Sequence, residues 1–141
     1  MAYYQTTARV DRIMENGEQK IVSEKYLVDA LTCLEAIELT TSELHSTCNG
    51  EFEITEVKKT SISDVYGNLD ADKYFVAKLN MITVDERTAK EKKTAFQWFI
   101  GADDYDKAKA ELTEELKKCL GDVEISGLTE SPIVGYIPCN L

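Results

Sequence analysis

The 141-residue chain changes rhythm twice in the same way. Residues 26–44, YLVDALTCLEAIELTTSEL, open as a strand at Tyr26, Leu27 and Val28 and turn helical within a few positions. Residues 98–116, WFIGADDYDKAKAELTEEL, make the same switch one half-chain later. Self-similarity at a fixed period constrains a chain more than any single motif does, because both copies must satisfy one plan. A shift of about 71 or 72 residues lays Tyr4, Thr6, Ala8 and Val10 on Phe75, Ala77, Leu79 and Met81. It lays Ala30, Ala36 and Leu44 on Ala102, Ala108 and Leu116, and Ile62 on Ile133. Phe52, Ile54 and Val57 fall on Val123, Ile125 and Leu128, and both triplets step by two and then by three. A step of three breaks strand alternation, which predicts a β-bulge at the same place in each copy.

Each copy therefore reads strand, hairpin, strand, helix, strand and a short final strand. The expected fold class is α+β: a tandem duplication of a ββαββ unit, with antiparallel sheets and two packed helices. The repeats are expected at residues 1–70 and 71–141, within one compact domain. Asn16-Gly17 marks the first hairpin turn, where positive φ is needed. Asn49-Gly50 marks the exit of the first helix. Cys33, Ala36, Ile37, Thr40 and Leu44 share one helical face, so Cys33 is expected to be buried, as is Cys119 on the second helix.

Only two prolines and seven glycines occur, so no linker or low-complexity segment is expected. No N-terminal signal pattern and no apolar run of about 20 residues is present, so a soluble, cytoplasmic protein is expected. The four cysteines, Cys33, Cys48, Cys119 and Cys139, form no C-x-x-C pair, and His45 is the one histidine. That spacing predicts free thiols and no zinc site. The net charge of −10 disfavours an unselective grip on phosphates. Its distribution is uneven. Asp29, Glu35, Glu38 and Glu43 meet no Lys or Arg between residues 29 and 47. Lys73, Lys78, Arg87, Lys90, Lys92 and Lys93 outnumber the acids of 73–93.

Three segments carry a family resemblance. MENGEQKIVSEKYLVDALTCLEA, KYFVAKLNMITVDERTAKEKKTAFQWFIGADD and the late VEISGLTESPIVGY together resemble an uncharacterised family of proteins about this size. That family occurs in gut Bacteroidetes and their phages and is known only as a domain of unknown function. Its most distinctive pieces here are M-E-N-G, Y-L-V-D-A-L, and I-T-V-D-E followed by E-K-K-T. The resemblance implies a bacterial or phage cytoplasmic protein and brings no activity or catalytic residue with it. More loosely, strands at 51–57, 61–66, 74–83 and 93–100 followed by a helix at 103–118 are similar in order to the PUR and whirly folds. Those folds bind single-stranded nucleic acid on curved sheets, an analogy of fold alone.

Chemistry-bearing motifs are sparse. His45 lacks the serine and acid setting of a hydrolase and reads as a solvated helix-end residue. Asp103, Asp104 and Asp106 suit the cap and first turn of a helix better than a metal loop. No glycine-rich phosphate cradle occurs. No enzyme activity and no cofactor are expected.

The aromatics are the most suggestive set. A sheet face bearing Tyr3, Tyr26, Tyr74, Phe96 and Trp98 beside Arg9 and Lys78 would stack exposed bases, at roughly 1–3 kcal/mol each. Parity leaves the strand of Phe96, Trp98 and Phe99 ambiguous, and the other reading is that these aromatics pack against the other repeat or another subunit. Lys90, Lys92 and Lys93 would supply phosphate contacts. The leading expectation is thus a non-catalytic binder of single-stranded nucleic acid. The alternative is a protein–protein module, an adaptor or an inhibitor of a host system, acting through its acidic helices or the aromatic face. Either form is compatible with a homodimer, and neither with a membrane span.

Overall fold

The computed structural model describes residues 2–48, 50–119 and 121–139; the Asn49 half of the Asn49-Gly50 turn lies outside them. The element order is β1 (Ala2–Ile13), β2 (Gln19–Ala30), α1 (Cys33–Thr47), β3 (Phe52–Lys59), β4 (Ile62–Gly67), β5 (Lys73–Val84), β6 (Glu91–Ala102), α2 (Tyr105–Lys117), β7 (Asp122–Ser131) and β8 (Gly135–Ile137). The fold is α+β, with two four-stranded sheets and two helices. A duplicated unit accounts for it: registry runs Ala2↔Ala30 in one hairpin and Lys73↔Ala102 in the other.

One sheet has the order β3-β1-β2-β8 and the other β4-β6-β5-β7. Their compact units are residues 1–60 with 133–141, and residues 61–132. The short final strand of each repeat thus pairs in the other repeat's sheet. β8 adds to β2 in parallel, and β4 adds to β6 in parallel. The sheets are therefore mixed, where the sequence pattern suggested antiparallel pairing throughout. Alternation specifies which face a strand buries but not which sheet receives it. The same exchange parts β3 from β4, β5 and β6, so the strand run compared with the PUR and whirly folds is divided between two sheets.

In the first unit α1 lies on the sheet face carrying Ala8, Val10, Tyr26 and Val28, with Ala36 and Leu44 completing the core. Small residues at Ala30 and Ala36, both fully buried, let the helix approach the strands closely. Thr32 caps α1 by accepting the Glu35 N–H at 3.1 Å. In the second unit α2 covers Phe75, Ala77, Leu79, Trp98 and Ile100 through Ala108 and Leu112. Asp104 caps α2 by accepting the Lys107 N–H at 2.8 Å, which is the capping role expected of the acid cluster. Each fully buried Leu, Val or Ile contributes roughly 1.5–3 kcal/mol.

Both anticipated bulges are present. The β1–β3 register shifts between Thr7 and Ala8, leaving Thr55 as the extra residue. The β5–β7 register shifts between Lys78 and Leu79, leaving Ser126 extra. The first hairpin turn has Gly17 at φ 83, with Met14 N–H bonded to Glu18 O and Gly17 N–H to Met14 O. That pattern is a three-residue loop closed by a glycine bulge. Cys33 is exposed, which corrects its assignment to the buried face. It is the first helical residue, where the chain has not yet turned back onto the sheet. Cys48 is the buried thiol instead, and Cys119 packs at the edge of the second core. All four thiols are free. No helix among the described residues is long and apolar enough to cross a membrane.

Candidate functional site

The sequence-derived site residues do not form one face. Alternation puts Tyr26, Phe96 and Trp98 on the helix-covered sides of their sheets, where they join the cores. Trp98 is 4% exposed, with Tyr66 and Phe96 edge-on to its ring at 4.9 and 5.8 Å. Tyr74 is on the opposite face of β5, is buried, and stacks on Phe99 at 5.0 Å. Tyr3 and Arg9 share the helix-distal face of β1, Tyr3 half-buried and Arg9 exposed. The lysines are exposed but divided. Lys78 and Lys93 take one face, Lys92 the other, and Lys90 lies in the turn. Lys93 is held by Glu124 at 3.1 Å. His45 is exposed at its helix end, edge-on to Phe52.

The structure instead builds a site on the first hairpin. β1 and β2 run on past the end of α1, so their tip is open on both faces. Ile13 and Ile21 are 66% and 70% exposed, and Met14 at the turn is also exposed. On the helix side a cleft of about 640 Å³ is walled by Arg12, Ile13, Met14, Lys20, Val22 and Glu24.

The floor of this cleft is tied together by hydrogen bonds. Arg12 donates from Nη2 and Nε to Glu24 Oε1 at 2.8 and 3.3 Å. Arg12 Nη1 donates to Thr47 O at 2.8 Å, satisfying a carbonyl at the C-terminus of α1. Tyr26 OH donates to the same Glu24 oxygen at 2.9 Å. Burial, aided by that bond to Glu24, pushes the Tyr26 phenol up to about 12. The hydrogen bond to Glu24 likewise raises Arg12. A fixed ion pair beside exposed aliphatic side chains can orient a polar group while the aliphatics cover apolar surface. It offers no activated nucleophile.

Strand registry shows what the second hairpin carries in the same place. Arg12, Glu24 and Tyr26 correspond to Thr83, Phe96 and Trp98 in the second hairpin. One copy carries a polar triad where the other carries an aromatic plug. The 71–72-residue alignment contains that difference, and Ile21-Val22, apolar on both faces of one strand, was a second signal.

A second polar group lies further along β2. The Asp29 Oδ1 is buried without a hydrogen-bond partner. Burial raises its pKa, and Glu35 raises it further. Tyr136, on β8, is pushed up to about 12 by burial and then by Asp29. Among the described residues no group of His, Cys, Asp or Glu side chains is placed to hold a metal ion.

The chain belongs to the family described as "Domain of unknown function (DUF4494)", whose model matches residues 2–139. No curated protein and no solved structure matches it.

Proposed function

We propose that this family member is a non-catalytic module that docks a partner protein on its first hairpin. The observation that carries the reading is the exposed aliphatic tip of the hairpin: Ile13 and Met14 wall the Arg12–Glu24 cleft, and Ile21 is exposed on the opposite face of the same tip. Clustered exposed aliphatics rimmed by polar groups mark interaction surfaces, and a pre-ordered ion pair lowers the cost of binding. The net charge of −10 supports a protein partner over nucleic acid. So does the burial of Tyr26, Tyr74 and Trp98, whose rings have no face left for a base. A cytoplasmic setting in a bacterium or a phage-infected cell belongs to the same proposal.

The exposed Lys78, Lys90 and Lys92 favour a second reading, single-stranded nucleic-acid binding along the basic hairpin. One experiment separates the two. The intact chain and an Ile13→Lys/Ile21→Lys variant serve as baits in host extract, and both are titrated with a labelled oligonucleotide at low salt. The proposal expects a partner retained by the intact chain at moderate salt, lost by the variant, and no oligonucleotide binding. Oligonucleotide binding that falls steeply with salt and is untouched by the variant would establish the second reading instead.

A further inference from the structure

Both hairpins outrun the short strand that flanks them. β8 pairs with β2 only from Tyr26 to Val28, so among the described residues β2 has no strand partner on its outer side from Gln19 to Glu24. β4 pairs with β6 only from Gln97 to Gly101, leaving the start of β6 equally open. The Lys25 carbonyl accepts the Val134 N–H on that outer side. By period two, Gln19, Ile21 and Ser23 also turn their N–H and C=O groups outward. All three are exposed.

An open edge is normally guarded by charge, most often lysine. The second hairpin follows that rule: its outward residues are Glu91, Lys93 and Ala95. The first does not, since its outward residues are Gln19, Ile21 and Ser23.

We infer that this unguarded edge pairs with the same edge of a second copy of the chain. In a two-fold antiparallel ladder, facing residues must share a sheet face, which restricts the centre to a residue facing itself. Centring on Val22 sets Ile21 opposite Ser23 of the second copy, and the reverse. Both outward-facing pairs then exchange N–H···O=C bonds in each direction. The ladder ends at Lys20 and Glu24, because Gln19 would next come opposite Lys25, whose outer carbonyl already accepts the Val134 N–H. The same register sets Lys20 opposite Glu24 of the second copy, twice, so the charges are complementary across the seam. Moving the centre to Ile21 would set Glu18 against Glu24, two like charges. Moving it to Ser23 would require the outer side of Tyr26, which β8 occupies. The equivalent register in β6, centred on Thr94, sets Lys92 against Phe96 and has no such complementarity. Ile21, Lys20, Val22 and Glu24 belong both to this ladder and to the docking surface, whereas Ile13 and Met14 take no part in the ladder and Ser23 takes no part in the cleft, so Ser23→Pro separates self-pairing from the docking of a foreign protein.

The test is sedimentation of the intact chain over a wide concentration range, with two variants. Ser23→Pro removes an outward N–H that no partner among the described residues uses, and proline is tolerated on an open edge. Lys20→Glu sets like charges opposite each other. The inference expects a reversible monomer–dimer equilibrium. Each variant weakens it at least tenfold, while Lys92→Glu leaves it unchanged. Amide exchange at Ile21 and Ser23 slows as the dimer fills. Should Ser23→Pro fail to fold by circular dichroism, Lys20→Glu decides. A chain that stays monomeric to about millimolar concentration overturns the inference. So does a dimer that a folded Ser23→Pro or Lys20→Glu variant leaves intact.

Discussion

Removing the Arg12 guanidinium is the sharpest probe of the cleft floor. In Arg12→Met the aliphatic stem is kept and three donations are lost, two to Glu24 Oε1 and one to Thr47 O. A charge-assisted hydrogen bond in a buried setting contributes roughly 1.5–3 kcal/mol. Here the side chains retain 26% and 18% of their exposure, so solvent screening reduces that figure. The expected coupling between Arg12 and Glu24 is about 1–2 kcal/mol. The single variant should cost somewhat more, because the Thr47 carbonyl also loses its cation at the helix end. For a chain of this size, 1–2 kcal/mol corresponds to a fall in Tm of roughly 3–6 °C.

A double-mutant cycle in urea isolates the pair, with Arg12→Met, Glu24→Gln and the double variant compared at constant m-value. The reasoning requires the double variant to cost less than the sum of the singles by about that coupling. A coupling under about 0.3 kcal/mol would refute it and reduce the pair to an ordinary surface contact. Binding adds a second readout: if the pair orients a bound group, Arg12→Met weakens partner capture beyond its effect on stability.

Two further outcomes test the packing and the charges. Gly101 lies where an added Cβ would overlap the Asn68 backbone, while Asn68 N–H bonds to Gly101 O at 2.9 Å. Gly101→Ala should therefore cost about 1–3 kcal/mol by chemical denaturation, whereas Gly121→Ala, which meets nothing, should be nearly neutral. Asp29 has a raised folded pKa from burial, so its ionised form opposes folding. That penalty is fully present above the raised folded value and is relieved as pH falls toward the ordinary aspartate value of about 3.9. Asp29→Asn should accordingly be more stable than the parent at pH 7, with the gain vanishing in acid; an equal gain at both pH values would contradict the burial account.

The duplication was legible because apolar spacing survives where residue identity does not. Phe52, Ile54 and Val57 carried the bulge position as clearly as the structure does, since a two-then-three step has few other solutions in a strand. The exchange of β4 and β8 was not legible. Ile62 and Ile133 show that these segments are buried, but nothing in their pattern names the strand they join. The placement of the aromatics stayed open for a related reason. Tyr26-Leu27-Val28 and Trp98-Phe99-Ile100 are apolar on both faces, so parity alone left Trp98 unassigned, and the alpha-helical cover of that side decided it. The hairpin site was half-visible: Arg12 and Glu24 are distant in sequence and look like ordinary strand charges until registry sets them within 2.8 Å.

The central claim is that the first hairpin is the docking surface, and a hydrogen-exchange footprint of the chain with and without its captured partner tests it most directly. The account predicts that added protection is concentrated between residues 12 and 24, around Ile13, Met14 and Ile21. Protection confined to residues 84–93, or to the exposed faces of α1 and α2, with the first hairpin unchanged, would contradict it.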